Sequence, residues 1–417
     1  MKIVLDLQGA QSHSRHRGIG RYTVSMARAF AVEAAHHELW LSLNGRHDES
    51  SASLIQQFEG LIPRERVVIN ELPANIAGCV PGNRWRMQVA AAAQASFFAG
   101  LRADCVWHSS MFEGWGDDST AALGTGADDD RHVATLYDLI PLLHPQRHLH
   151  DAAYRFWYHR RLALLKRCGL LLAISESSRR EAIESLQFRD DEVAVVSGAA
   201  DPVFKPMPVD GECWARWLRD WQLRPGFVLY AGGYDAHKNV DALIAAFAEI
   251  PGPVRQQNPL VLAGRCDEVV ERHLRRIARK HRLADDSLIF TGTLEDEELA
   301  RLYSSCRLFV APSLHEGLGL PPLEAMACGA AVIGSNTASL PEVIGRPDAL
   351  FDPRSRSSIA AKLQSVLGEP GYIESLRTHA SVQTRQFAWP VSARKALAAI
   401  EHRAQKGFKR PVARGRD

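Results

Sequence analysis

Short apolar runs alternate along this chain with longer stretches in which apolar residues recur every three or four positions. The first run, Lys2–Gln8, is β-branched and leucine-rich and predicts a strand. Tyr22–Ala35 then has helical spacing. Further strands are predicted at Arg66–Ile69, Cys105–His108, His132–Tyr137, Leu170–Ile174 and Val193–Val196. Helical patterns lie among them at Arg84–Leu101, Ala153–Lys166 and Glu176–Leu186. Such alternation favours an α/β fold with parallel sheets, because each parallel strand needs a crossover, usually a helix, to reach the next.

A second series follows Pro206. Its predicted strands are Phe227–Ala231, Leu260–Ala263, Leu288–Phe290, Leu308–Ala311 and Ala331–Gly334. Its helices are Asn239–Ile250, Val269–Lys280, Glu295–Cys306 and Pro322–Ala327. Between the series, Asp201-Pro202 and Lys205-Pro206-Met207-Pro208 mark the joint, since proline disfavours helix before it and stiffens a linker. The rhythm of the two halves is similar, without a repeat in sequence. The expected division is therefore 1–205 and 206–385, followed by a helical segment 386–405 and a basic, disordered tail 406–417. Asp128–Asp130 reads as a surface loop.

Composition narrows the picture. Of 417 residues, 46% are hydrophobic and 24% charged, with a net charge of +2, which excludes a disordered chain. No apolar run reaches the ~20 residues that span a bilayer. From Arg403 to Asp417 there are six basic residues and one acid, so the body carries about −3 (+2 minus +5) and does not look like a nucleic-acid binder. The seven cysteines are scattered without a CxxC pair, which predicts thiols in a reducing compartment. The start, MKIVLDLQG, reads as a strand rather than a signal peptide, so a cytoplasmic protein is expected.

The strongest chemical signal is Ser313–Glu342, SLHEGLGLPPLEAMACGAAVIGSNTASLPE. A predicted strand runs into a glycine loop, two prolines and a short helix. Proline suits a first helical turn, and a helix N-terminus favours anions, above all phosphate. Gly317 and Gly319 would allow close backbone approach to a ligand. Glu316 and Glu324 flank the loop with seven residues between them. Two glutamates at that spacing are otherwise ordinary surface. A glycoside hydrolase pair is another reading, but the phosphate-ready helix start would then have no role.

This stretch resembles the E-x7-E motif of family 4 retaining glycosyltransferases, and the likeness extends in motif order over most of the chain. The resemblance implies the GT-B architecture, two Rossmann-like α/β domains facing across a cleft, with the donor held mainly by the C-terminal one. It implies that Glu316 contacts the transferred hexose, that Gly317, Leu318, Gly319 and Leu320 cradle sugar and diphosphate, and that Glu324 holds the ribose hydroxyls. Lys238, in Tyr230–Asn239, matches the lysine that neutralises the diphosphate. His237 and Gly233 stand where relatives carry arginine, and Arg265 is the candidate replacement. Gly292 and Thr293 match a loop on the base side of the donor.

In the first half, Gly18-Ile19-Gly20-Arg21 precedes a helix. It is no dinucleotide fingerprint, since Thr23 stands where the third glycine belongs. The resemblance makes Gly18 and Gly20 a loop that closes on the donor, with Arg21 as an extra cation. Tyr137-Asp138 stands where relatives have His-Asp, so Tyr137 and Asp138 are sugar-side candidates, as is His108 at the end of a strand. Ser175 reads as a helix cap. Phe387-Ala388-Trp389 resembles the lead into a final helix that crosses back to the N-domain. Tyr154–Arg161 interleaves aromatic and basic residues, either core on one face or an interfacial stripe.

The function implied is retaining transfer of a hexose, mannose from GDP-mannose, to a glycan or lipid-linked acceptor in O-antigen or exopolysaccharide synthesis. No metal signature is visible and no cofactor is expected. The partners are the nucleotide-sugar donor, the acceptor and, through the basic tail, the inner membrane surface. A non-catalytic GT-B nucleotide-sugar-binding module or synthase partner is the alternative. An epimerase or phosphorylase is a third reading.

Overall fold

The computed structural model describes residues 1–124, 131–209, 211–221, 223 and 225–407, leaving aside the side chains of Cys213 and Asp285. The predicted loop at Asp128–Asp130 and most of the basic tail lie outside the described residues. The chain divides into two compact units, Met1–Gly198 with Trp389 onward, and Ala199–Ala388.

The first unit holds a sheet of order β3-β2-β1-β4-β5-β6-β7. Its strands are β1 (Lys2–Asp6), β2 (Glu38–Asn44), β3 (Val67–Asn70), β4 (Cys105–His108), β5 (His132–Leu136), β6 (Leu170–Ala173) and β7 (Val193–Val195). Every pairing is parallel. The strand β2 is absent from the sequence-based prediction. Its Glu-Leu-Trp-Leu-Ser-Leu-Asn alternation puts Leu39, Leu41 and Leu43 in the core.

The second unit repeats the plan with the order β10-β9-β8-β11-β12-β13. These strands are β8 (Val228–Ala231), β9 (Leu260–Ala263), β10 (Leu288–Gly292), β11 (Leu308–Ala311), β12 (Val332–Ser335) and β13 (Leu350–Phe351). All four residues of β8, β9 and β11 are buried. Strands covered on both faces read as continuous apolar runs, which is why the sequence located them so closely.

Helices form where local chemistry supports them. In Glu268–Lys280, Asp267 caps the start by accepting from the Val270 N–H at 2.9 Å. Acids Glu268 and Glu271 lie in the first turn and Arg279 and Lys280 in the last, matching the helix dipole. Leu274 and Ala278, four apart, form the buried stripe. Ser175 caps Glu176–Leu186 as predicted, its hydroxyl accepting from Ser178 N–H at 3.0 Å.

The joint falls at Gly198–Ala199, earlier than the prolines suggested. Phe204 is buried with its ring 5.9 Å from Tyr303, and Met207 N–H donates to Ser304 Oγ at 3.0 Å. The proline stretch thus adheres to the second unit instead of forming an independent linker. The final helix, Trp389–Gln405, belongs to the first unit. There Trp389 meets Tyr22 edge-on at 5.4 Å and Ala393, Ala396 and Ile400 are fully buried.

One face of the aromatic-basic helix Ala152–Leu165 is core, with Trp157, Tyr158 and Arg161 buried, and the other presents Arg155, His159 and Arg160 to solvent. Among its aromatic residues Phe156 is the exposed one, at 52%, between Arg84 and Arg160. No helix among the described residues is long and apolar enough to cross a membrane.

Candidate active site

In both sheets the strand order reverses beside the first strand of the unit, between β1 and β4 and between β8 and β11. Crevices at such switch points, outside the carboxyl ends of the strands, are where open α/β sheets bind ligands. The second unit places its charged residues there. The loop after β8 carries Lys238 and the loop after β11 carries Glu316. The Lys238 ammonium donates to both Glu316 oxygens, at 2.9 and 2.8 Å. Ser313 donates to the same carboxylate at 2.6 Å. Burial raises the Glu316 pKa, but Lys238 and the Ser313 hydroxyl outweigh it and hold the carboxyl below its usual value. The side chains remain partly accessible, 20% for Lys238 and 15% for Glu316.

Several polar side chains fix these loops. Asn239 adopts the left-handed conformation (φ 60°), which asparagine tolerates better than most residues. Its amide donates to the Pro312 and Pro353 carbonyls at 3.1 and 2.8 Å, joining the β8 loop to the β11 loop. Leu314 N–H also donates to the His237 carbonyl at 2.7 Å. Beneath the glycine loop, the buried Ser339 hydroxyl lies 3.0 Å from the Glu316 carbonyl and 2.7 Å from that of Leu318. Sequence reasoning missed Ser313, Asn239 and Ser339. A serine three positions before Glu316 was visible, but the others act across distances only folding closes.

The helix after the loop is Leu320–Ala327, capped by Gly319 at φ 96°. A Cβ on Gly319 would stand 3.0 Å from Leu340 and 3.2 Å from Pro322, a tight fit, and the positive φ is what favours glycine there. The helix start, expected from the sequence to favour a phosphate, offers fewer N–H groups than an ordinary one. Pro321 and Pro322 occupy the first turn and carry none, and Leu323 N–H bonds to the Gly319 carbonyl at 3.4 Å. Of Leu320, Pro321 and Pro322, only Leu320 has a donor. Gly317 stays beside Glu316, while the Leu318 side chain is buried and its backbone is tied down by Ser339. Glu324 is 5% exposed and accepts from Tyr303 Oη at 3.2 Å.

Gly232, Gly264 and Gly292 end β8, β9 and β10 as neighbouring turns: Gly264 N–H bonds to the Gly292 carbonyl at 3.0 Å. A Cβ on Gly264 would lie 2.2 Å from the Gly232 carbonyl oxygen. Arg265 and Thr293 follow these turns and are exposed. The strand ends thus bring Arg265, Gly292 and Thr293 to the same edge of the sheet as Lys238 and Glu316.

The first unit uses its candidates differently. Gly18 and Gly20 are not in a loop; they begin the helix Gly18–Glu33, and Arg21 lies in its first turn. A Cβ on Gly20 would meet the Arg15 carbonyl at 2.4 Å, so the chain's own backbone fills that space. Tyr137 Oη is 3.0 Å from Thr23 Oγ1 and 3.4 Å from the Ile19 carbonyl, and burial pushes its pKa well up. Asp138 accepts from Ile140 N–H at 3.0 Å, just before a short helix.

His108 is fully buried and does not line a sugar site. Gly124 N–H donates to His132 Nε2 at 3.1 Å, so His132 bears its proton on Nδ1. That nitrogen donates to His108 Nε2 at 2.8 Å, and His108 Nδ1 donates to Asp6 at 3.0 Å. Burial, with His108 and Arg167 adding to it, holds the His132 pKa well below its usual value. Beside this chain, buried Glu113 accepts from Ser12, Ser14 and Ser110 at 2.5, 3.0 and 2.8 Å. Asp6, His132 and Glu113 had no sequence signal, because their partners lie on other strands and loops.

The family model of group 1 glycosyl transferases matches residues 217–386, the part that carries Lys238, Arg265, Gly292, Thr293 and Glu316 to Glu324. The chain is 37% identical over 399 residues to the serotype-specific mannosyltransferase WbdA of Escherichia coli, covering 95% of this chain and 47% of that protein. It is 31% identical over 264 residues to the E. coli O-antigen chain mannosyltransferase B, covering 62% of this chain and 67% of that protein. This chain belongs to the group 1 glycosyl transferases. It spans about half the length of WbdA. Among solved structures, sucrose-phosphate synthase from Thermosynechococcus elongatus superposes with a TM-score of 0.71 at 18% identity, covering 98% of this chain and all of that one. At that identity the likeness speaks to fold, and the two doubly wound units are those of the GT-B class.

Proposed function

We propose that this group 1 glycosyl transferase moves mannose from GDP-mannose, with retention of configuration, to a glycan or lipid-linked acceptor in O-antigen or exopolysaccharide synthesis. The observation that carries the reading is the Lys238–Glu316 pair at the β8/β11 switch point, held by Ser313 on a loop shaped by Gly319. The names of the E. coli relatives support the choice of mannose.

The chemistry follows from the residues. A lysine ammonium has three donors, and two are on Glu316. The third is available to a diphosphate oxygen. Ionised Glu316 accepts from a sugar hydroxyl and favours positive charge developing on the ring, a preorganised electrostatic role. Leu320 N–H and Arg265 add positive potential for the leaving diphosphate, while Gly292 and Thr293 lie on the base side. Glu324, oriented by Tyr303, is the candidate for the ribose hydroxyls. These groups suffice for transfer without a metal or cofactor.

We place the protein in the cytoplasm, in peripheral contact with the inner membrane surface. The six described cysteines are thiols, which suits a reducing compartment. Exposed Trp85 and Phe156, each beside arginine, support a surface that meets a lipid-linked acceptor.

A thermal-shift panel of GDP, UDP, ADP and dTDP with their sugars tests the donor, since a ligand that binds only the folded state raises its stability. GDP and GDP-mannose should raise the midpoint most. Transfer assayed with GDP-mannose and a mannan primer should yield an α-linked product and continue in EDTA. A β-linked product would refute retention, and stabilisation by another nucleotide alone would refute the donor.

A further inference from the structure

A second polar cluster lies in the first unit, away from the switch point. The helix Gly18–Glu33 ends in a turn closed by His37 N–H on the Ala34 carbonyl at 2.9 Å. That turn presents two adjacent imidazoles just before β2, at the amino end of the strands. The final helix, Trp389–Gln405, brings Glu401 to them from 364 residues away in sequence. Glu401 Oε1 stands 2.9 Å from His37 Nε2 and 3.3 Å from His36 Nε2. All three atoms lie within 4.8 Å of one another.

We propose that His36, His37 and Glu401 form a divalent-metal site that fastens the final helix to the first. The spacing fits a small ion. In a tetrahedral zinc site with bonds near 2.0–2.1 Å, ligand atoms stand about 3.3 Å apart. Both histidine-to-carboxylate distances are already close to that value. His37 Nδ1 faces the Met1 amino group at 3.2 Å, so a metal on Nε2 shifts the ring proton to Nδ1 and displaces that amino group, while the His36 side chain, 60% exposed, has room to turn.

The donor set selects the metal class. Two imidazole nitrogens and one carboxylate suit zinc, nickel or cobalt. Magnesium and calcium prefer all-oxygen sites. The side chains of His37 and Glu401 are 11% and 35% exposed, so one face is open to water for the remaining positions. The site joins two helices that already pack together: Arg394 pairs with Glu33 at 2.8 Å, and Tyr22 meets Trp389. A metal there serves structure, since neither the diphosphate lysine nor the hexose carboxylate belongs to this unit.

The test uses the tag-free full chain, stripped of metal and titrated with Zn2+, with Co2+ as a spectroscopic probe and Mg2+ as control. One equivalent of Zn2+ should bind and raise the melting midpoint. Co2+ should give a visible absorption band, and Mg2+ should do nothing. His36→Ala should weaken Zn2+ binding at least about tenfold. Glu401→Gln preserves size and a hydrogen bond to His37, so it should fold and still lose the metal-dependent rise in midpoint. Hydrogen exchange of the amides around Glu401 should slow with Zn2+ only in the unsubstituted protein. Absence of binding at micromolar Zn2+, or equal binding and stabilisation in both variants, would overturn the proposal and leave an ordinary ion pair.

Discussion

The two sheets share one topology and use their switch points in opposite ways. At β1/β4, polar groups are spent on one another. Asp6 accepts from His108 and from the side-chain amide of Gln8, whose Oε1 accepts from Thr120 N–H at 3.0 Å. His132 completes the chain, and three serines satisfy Glu113. At β8/β11 the charged groups pair but stay partly exposed, and their remaining donor and acceptor capacity is unspent. The contrast shows that a switch point offers a place for chemistry, while the side chains decide whether it is filled internally or kept for a ligand.

The largest expected effect tests the second unit. Glu316→Gln should lower kcat by about 10²–10³-fold, the range for loss of one preorganised electrostatic partner. The variant should remain folded, with a melting midpoint only slightly below that of the parent at pH 7. Full transfer activity would remove the distinction between the two crevices.

The complementary experiment is His108→Ala. It leaves Asp6 and His132 buried without their partner, so unfolding by urea should show a loss of about 2–3 kcal/mol. Donor affinity, measured by calorimetry, should not change. A selective loss of donor binding would instead make the first crevice a working one.

Lys238→Ala should weaken donor binding about tenfold and lower kcat as well, since one cation on the diphosphate acts in both states. Unchanged donor affinity would contradict that role.

The smallest effect is pH-dependent. Folding depresses the Glu316 pKa below its ordinary value. Its contribution to stability is therefore present above the unfolded-state value of about 4.3 and fades as pH falls through the lower folded value. The stability gap between the parent and Glu316→Gln should be constant from pH 7 to 5 and shrink below about 4. A gap that widens on acidification would reverse the sign and show that the pair does not hold Glu316 ionised.

Most of the second unit was legible in the sequence. Leu260–Ala263 and Leu308–Ala311 are strands over the predicted residues, and Leu320–Ala327 begins beside the predicted prolines. The Glu316–Glu324 spacing and the glycine loop pointed to the carboxylates because that information is local. The strand Glu38–Asn44 went unrecognised next to a long helical pattern, and Leu350–Phe351 is too short to carry a period. Gly18 and Gly20 misled for a related reason. A glycine marks a close approach, but sequence does not say whether the neighbour is a ligand or, as for Gly20, the backbone of Arg15.

By itself the sequence determined the α/β alternation, the two-unit plan and the loop that carries Glu316, because hydrophobic period, proline and glycine act over a few residues. Only the tertiary structure decided that Lys238 grips Glu316 across two loops, that Ser339 and Asn239 anchor those loops, and that His108 is sealed between Asp6 and His132. It also decided that Glu401 meets His36 and His37. The reason is the same in each case. A hydrogen bond or ion pair acts over about 3 Å, and the partners become neighbours only when parallel strands and packed helices bring distant segments together.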